Sequence, residues 1–215
     1  MIITEPKPFE KILESLQNAE KVIVLGCSRC ATGCGTGGEK EVAAMAEKLK
    51  KAGKEVLAQK VLESPCDDRL NKRDFKEVGA GVFKVADAVL VMSCGAGVQT
   101  IADLCDLPVF PALDSLFLGR TKRVGRFYEM CVMCGDCVLD QTGGICPVSR
   151  CSKRLLNGPC GGSHDGKCEV NPNLDCAWYL IYEKLKAHNK LDKMESVKPP
   201  KDYSKVIRPR KVELR

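Results

Sequence analysis

The sequence is poor in aromatic residues and in histidine. Phe, Trp and Tyr together make up 5% of the 215 residues, and there are two histidines. His164 lies in a glycine-rich loop and could bind zinc, but we expect it, like His188 near the end of a predicted helix, to be an exposed surface residue. No Ser/His/Asp set and no pair of carboxylates stands out. We therefore predict that the chain is not catalytic by itself.

Long apolar runs are also missing. No run approaches the roughly 18 residues that a membrane-spanning helix needs. The first ten residues, MIITEPKPFE, contain two acidic residues and two prolines and have no apolar segment of the kind found in secretory signals. We therefore expect a cytoplasmic protein without membrane insertion. Thiols stay reduced in that compartment, so clustered cysteines are expected to bind metal rather than to form disulfides.

Basic residues are scarce outside the C-terminal end. The net charge is +6, and residues 198–215 contain seven Lys/Arg against two Asp/Glu, so almost all of the excess lies there. The remainder of the chain is nearly neutral. This distribution does not predict a nucleic-acid surface. We expect residues 193–215 to form a basic tail that is solvated or docks on a partner.

The first 118 residues alternate between helical and strand patterns. Helical apolar spacing occurs within residues 1–20, 39–52, 67–80 and 98–105, and short β-branched runs occur at 21–26, 55–62, 88–95 and 107–113. Such alternation is typical of a parallel sheet with helices on its faces. The predicted fold class is α/β, a small flavodoxin-like doubly wound sheet.

Residues 119–192 are predicted to form a second, cysteine-rich domain. The regular alternation stops around residues 117–128, and the following turns are rich in glycine and poor in apolar residues. We expect bound metal to stabilise this irregular region in place of a hydrophobic core. A last helix is predicted to begin near Ala177.

The first candidate metal site is the loop that follows the strand at residues 21–26. Cys27, Cys30 and Cys34 lie there with the spacing C-x₂-C-x₃-C. A glycine-rich loop at this place in an α/β sheet is ordinarily a phosphate site, which is the competing interpretation. Three thiols favour a metal cluster instead. The expected fourth ligand is Cys94, at the end of the neighbouring strand, with Cys66 as the alternative.

The second candidate region holds eight cysteines within residues 131–176. Cys131, Cys134 and Cys137 have the C-x₂-C-x₂-C spacing of bacterial [4Fe–4S] proteins, so iron–sulfur is favoured over zinc for this group. Cys146 precedes a proline, as the fourth ligand of those proteins does, but after a longer gap. The fourth position and any second site are therefore shared among five cysteines, namely Cys146, Cys151, Cys160, Cys168 and Cys176.

Two questions stay open at this level. Cys176 could return to the first group, because it stands at the start of a helix, where the dipole favours a thiolate. The second group of four thiols could hold either an iron–sulfur cluster or zinc. Cys105 lies in an apolar helical stretch and is expected to be a buried structural thiol.

Five stretches together resemble the MetV-type small subunit of bacterial methylenetetrahydrofolate reductase. They are GCSRCATGCGTGGEKEV, VMSCGAGVQTIAD, CVMCGDCVLDQTGGICPVSRC, LLNGPCGG and KCEVNPNLDCAW. They occur in order between about residue 5 and residue 192. The same module is related to the C-terminal domain of some long methylenetetrahydrofolate reductases.

The resemblance implies a cytoplasmic iron–sulfur protein that also carries zinc. The implied partner is a flavin-containing TIM-barrel catalytic subunit, with FMN or FAD on that subunit only, and the electron donor would be a ferredoxin or an electron-transfer subunit. Cys27, Cys30, Cys34 and Cys94 match the family's first cysteine loops, and residues 131–176 match its second region. We expect at least one [4Fe–4S] cluster and two or more in all. The alternative function is a zinc-ribbon module that binds protein or nucleic acid.

Overall fold

The computed structural model describes residues 1–213 and shows two compact units. One comprises residues 1–128 and the other begins at Glu129. The predicted division into 1–118, 119–192 and 193–215 stays a prediction. None of the helices in the described residues is both long enough and apolar enough to span a bilayer.

A four-stranded parallel sheet forms the centre of the first unit. Its strands are β2 (Lys21–Cys27), β3 (Glu55–Leu62), β4 (Ala88–Met92) and β5 (Val109–Pro111), and their order is β3-β2-β4-β5. This order confirms the flavodoxin-like arrangement predicted from the sequence. All five residues of β4 are buried. Burial on both faces explains why the strand has an unbroken apolar sequence rather than an alternating one.

Helices cover both faces of this sheet, which confirms the doubly wound α/β class. The helices are α1 (Phe9–Ser15), the short α2 (Cys30–Cys34), α3 (Glu39–Lys51), α4 (Asp68–Val78), α5 (Ala80–Val85) and α6 (Gly95–Leu104). Val22 and Val24 of β2 pack in one apolar cluster with residues of α1 and α3. Ile23 and Leu25 pack in the other cluster with residues of α4, α5 and α6. Successive side chains of a strand point to opposite faces, so one apolar strand serves both clusters.

The helix predicted at residues 67–80 is confirmed as α4, and α5 follows it as a further helix that the sequence did not predict. Gly79 separates α4 from α5 and has a φ of 99°, which no residue inside an α-helix adopts. The Asp67 side chain accepts a hydrogen bond from the backbone N–H of Arg69 and so caps the start of α4. The predicted helix therefore ends at a glycine, and α5 begins directly after it.

A three-stranded sheet was not predicted from the sequence. It contains β1 (Ile2–Pro6), β6 (Leu113–Arg123) and β7 (Arg126–Cys131), in the order β1-β6-β7. The alternation of helices and strands ends around residues 117–128, as expected, and these residues belong to β6 and β7, which the sequence did not predict. Val124 and Gly125 join β6 to β7, and Gly125 has a φ of 73°, as short hairpin turns require. The strands are defined mainly by pairing between distant residues, with Ile3 opposite Phe117.

The described part of the second unit consists mostly of turns, together with two helices. Its helices are α7 (Pro147–Arg150) and α8 (Ala177–Ala187), followed by 3₁₀ turns at Leu191–Met194 and Tyr203–Val206. The predicted start of the last helix at Ala177 is confirmed. Trp178, Ile181 and Leu185 of α8 are buried in a small apolar cluster. The Trp178 indole N–H donates to the carbonyl of Leu155 at 3.0 Å, which ties the loop to the helix.

Candidate metal centres

The first cysteine loop folds back onto the end of β2. Cys27 is the last residue of that strand and is buried, and Cys30 and Cys34 are the first and last residues of α2. The Cys27 N–H donates to the carbonyl of Gly37 at 2.9 Å, and the Thr32 hydroxyl donates to the carbonyl of Cys27 at 2.7 Å. These bonds hold the loop as a compact turn at the carboxyl edge of the sheet.

Cys94 joins this loop from the neighbouring strand. Gly26 of β2 pairs with Met92 of β4, so the two strands end side by side, and Cys94 is the residue immediately before α6. Burial raises the pKa of the Cys27 thiol, and the nearby Cys30 and Cys94 thiols raise it further, against a lowering by backbone N–H groups. The Cys30 and Cys94 thiols are thus near enough to Cys27 to influence its pKa.

The remaining thiols of the first unit have other neighbours. Cys34 Sγ lies 3.8 Å from the carbonyl oxygen of Ile2 in β1. Cys66 is exposed, with its sulfur 3.5 Å from the Ser64 hydroxyl. Cys105 is half-buried, and burial raises the pKa of its thiol. The predicted ligand set of Cys27, Cys30, Cys34 and Cys94, with Cys66 as the alternative to Cys94, therefore stays a prediction.

The competing phosphate interpretation of the loop has a structural obstacle. The N–H of Gly38, at the start of α3, donates to the Glu41 carboxylate at 2.9 Å. A carboxylate therefore takes the position that a phosphate would occupy at this helix N-terminus. A Cβ at Gly37 would lie 2.2 Å from the carbonyl oxygen of Met92, so this glycine permits close backbone packing.

In the second unit, four cysteines line a pocket of about 340 Å³. They are Cys131, Cys134, Cys137 and Cys146. The N–H of Met133 points at Cys131 Sγ at 3.3 Å, and Met133 and Gly135 both have positive φ values, which turn the chain tightly between the thiols. Cys146 is the residue immediately before α7, and Pro147 lies in the first turn of that helix.

Four other cysteines line a much smaller pocket of about 20 Å³. They are Cys151, Cys160, Cys168 and Cys176. Cys176 is buried directly before α8, and Trp178 forms part of the same wall. The pKa of the Cys168 thiol is lowered, first by the backbone N–H of Asn171 and then by the Ser152 hydroxyl. A lowered pKa favours the thiolate, which is the form that binds metal.

The eight thiols of this region therefore fall into two sets of four in chain order. The sequence left open whether Cys146 or Cys176 completes the first set. Cys146 lines the larger pocket and Cys176 the smaller one, and the ligand assignment stays a prediction. Neither residue is distinguished locally, because both directly precede a helix. In the described part of the chain, no three His, Cys, Asp or Glu side chains form a ready-made metal site. The fold brings four thiols to each of the two pockets.

Both histidines are exposed, as expected. His164 Nδ1 lies 2.9 Å from the Asp165 carboxylate, with a side chain that is 90% exposed. His188 follows the last residue of α8. Neither residue lines the two cysteine pockets described above.

One comparison with known proteins gives a match. Residues 110–204 fit the family model described as methylene-tetrahydrofolate reductase C terminal. This part of the chain is related to the C-terminal domain of methylenetetrahydrofolate reductases. The matched stretch contains both four-cysteine pockets of the second unit and excludes the first cysteine loop. No curated protein and no solved structure matches the chain.

Proposed function

We propose that this chain is the MetV-type electron-transfer subunit of a methylenetetrahydrofolate reductase complex. It would pass electrons to the FMN or FAD of a TIM-barrel subunit, which reduces methylenetetrahydrofolate to methyltetrahydrofolate in the reductive acetyl-CoA pathway of the cytoplasm. The observation that carries the proposal is the sorting of eight thiols into two four-cysteine pockets, within the stretch related to methylenetetrahydrofolate reductases.

The two pockets suit different metals. Cys131, Cys134, Cys137 and Cys146 would hold a [4Fe–4S] cluster, whose chemistry is the transfer of one electron at a time. The pocket of about 340 Å³ has room for such a group. The pocket of about 20 Å³ between Cys151, Cys160, Cys168 and Cys176 is little larger than the roughly 10–15 Å³ that one water molecule needs. A single zinc ion in a Cys₄ site suits that space.

The first unit would hold a further cluster. Cys27, Cys30 and Cys34 lie at the end of β2 and in α2, and Cys94, or Cys66 in its place, would complete the set. The buried position of Cys27 would shield one side of the cluster from water. Exposure to solvent is one of the factors that set the potential of an iron–sulfur centre.

Residues around the larger pocket would set the reduction potential of the [4Fe–4S] cluster that it is proposed to hold. The Met133 N–H is directed at Cys131 Sγ, and hydrogen bonds to ligand sulfurs stabilise their negative charge. Val132, Val138 and Leu139 contribute apolar wall. The chain would thus set the potential and exclude water, and the partner subunit would carry out the reaction on the folate.

Metal analysis of the anaerobically purified full-length chain tests this proposal. We expect a brown protein that contains iron, acid-labile sulfide in equal amount, and one zinc per chain. Zinc without iron or sulfide in a normally folded protein would refute the proposal and would favour the zinc-ribbon alternative. That alternative also predicts a steep salt dependence of nucleic-acid binding. Iron and sulfide without zinc would support the electron-transfer role and contradict the assignment of the smaller pocket.

A further inference from the structure

The basic C-terminal segment is fastened to the loop that carries Cys131, Cys134 and Cys137. At the start of the segment, two hydrogen bonds join Lys198 to the side chain of Asn157. The Asn157 amide N–H donates to the carbonyl of Lys198 at 2.9 Å, and the Asn157 amide oxygen accepts the backbone N–H of Lys198 at 2.7 Å. At its far end, the Arg210 guanidinium donates to the carbonyl of Met133 at 3.0 Å. The segment from Lys198 to Arg210 is thus a strap that is bound at both ends and exposed along most of its length.

Lys201 is the most buried residue of this strap. Its side chain is 3% exposed and lines the same pocket as the four thiols of the first set. The Lys201 ammonium donates to the carbonyl of Asp136 and lies 3.8 Å from the carboxylate of the same residue. Lys205 lies 3.7 Å from that carboxylate but is about half exposed and does not line the pocket. One lysine of the strap is therefore an internal cation, and the other is a surface one.

We propose that Lys201 is a positioning residue that raises the reduction potential of the cluster in this pocket; this rests on the proposed function. Four thiolates make such a cluster anionic, and the electron that it accepts adds one more negative charge. A cation in the wall stabilises the reduced form more than the oxidised form, and burial limits screening by water. Asp136 holds the ammonium in place through its backbone oxygen and its carboxylate.

Redox titration of the purified full-length chain with dithionite tests this role. In the Lys201→Met variant, which keeps the length of the side chain and loses its charge, we expect the ratio of reduced to oxidised cluster at a fixed potential to fall about tenfold. That change corresponds to about 59 mV for a one-electron couple. Lys205→Met is the matched control, because it removes a charge near the same carboxylate outside the pocket, and its ratio should stay close to that of the wild type.

The outcomes are distinguishable from failure of the proposed function. A wild-type chain without iron refutes the cluster itself, whereas full iron content with an unchanged ratio in Lys201→Met overturns only the role of Lys201. If Lys201→Met does not retain iron, the same titration of the Lys201→Arg variant, which keeps the positive charge, distinguishes the role of charge from that of shape. Retained iron with a wild-type ratio supports the role of charge. Loss of iron from Lys201→Arg would show that Lys201 acts by its shape, which contradicts the proposal.

A second, independent feature is the tip of the β6–β7 hairpin. Residues 115–128 contain four cations, Arg120, Lys122, Arg123 and Arg126, and no acidic residue. All four are exposed, and none is in an ion pair among the described residues. Val124 is fully exposed and Tyr128 is half exposed, with the Lys122 ammonium 5.5 Å from the centre of the Tyr128 ring.

We infer that this hairpin tip binds an acidic one-electron carrier protein. The four cations would attract the acidic surface of a partner protein and orient it during the encounter. The exposed side chains of Val124 and Tyr128 would then make apolar contacts with the bound partner. Strand β7 then leads from the tip to Cys131, the first thiol of the larger pocket. This inference also rests on the proposed function.

Binding of a purified acidic [4Fe–4S] ferredoxin to the full-length chain tests this surface. The double variant Lys122→Glu/Arg123→Glu should weaken binding at least tenfold at low salt, and the wild-type affinity should fall as salt rises. The control Lys40→Glu/Lys51→Glu reverses two exposed charges on α3 and should bind like the wild type. Equal loss in both variants would indicate net charge alone and overturn the assignment. Binding of a single-stranded oligonucleotide in place of the ferredoxin would also overturn it.

Discussion

Replacing Cys134 with serine is expected to abolish donor-linked reduction of the partner's flavin. Cys134 is the middle thiol of the C-x₂-C-x₂-C loop, and it lines the larger pocket with Cys131, Cys137 and Cys146. Three thiols cannot occupy all four corner positions of a [4Fe–4S] cluster, so the iron content should fall by about four per chain. Stopped-flow absorbance of the flavin measures the electron transfer, and gel filtration of the two-subunit complex measures assembly.

Cys105→Ser is the matched control for this change. Cys105 is a half-buried thiol that lies outside both four-cysteine pockets and outside the first cysteine loop. Its replacement should leave the iron content and flavin reduction at wild-type levels. Rapid flavin reduction in an intact Cys134→Ser complex would contradict the assignment of this loop to electron transfer.

Replacing Cys168 with serine is expected to remove zinc and to unfold the smaller four-cysteine site. A structural Cys-ligated zinc site contributes roughly 10–16 kcal/mol of apparent binding free energy, which is folding free energy where the site does not preform. The apolar cluster of α8 is small, so the loops around it depend on the metal. Trp178, the single tryptophan, lines the same pocket and provides the readout. Its fluorescence should shift towards that of a solvent-exposed indole.

Iron separates this effect from general misfolding. The set of Cys131, Cys134, Cys137 and Cys146 lines a different pocket, so the Cys168→Ser variant should keep most of its iron. The same loss of zinc and the same fluorescence shift should follow addition of a zinc chelator to the wild-type protein. A variant that retains one zinc and the native Trp178 spectrum would show that Cys168 is not a ligand.

Most of the α/β unit was predictable because its signals are local. The apolar strands at Lys21–Cys27, Glu55–Leu62 and Ala88–Met92 and the helical spacing of Glu39–Lys51 depend on neighbours a few residues away. The three-stranded sheet was not predictable in this way. Strand β1 pairs with β6 across more than a hundred residues, and neither segment has a strong pattern of its own.

The sequence by itself determined which residues are available as ligands, because C-x₂-C-x₂-C and C-x₂-C-x₃-C spacings bring thiols together within a single turn. Only the tertiary structure decided which pocket each of the distant thiols lines. Cys146 and Cys176 have the same local setting before a helix, and the path of the chain assigns them to different pockets. The same holds for Lys201, which has the sequence context of a solvated residue. Its burial depends on Asp136, 65 positions away, and long-range contacts of this kind leave no local pattern in a sequence.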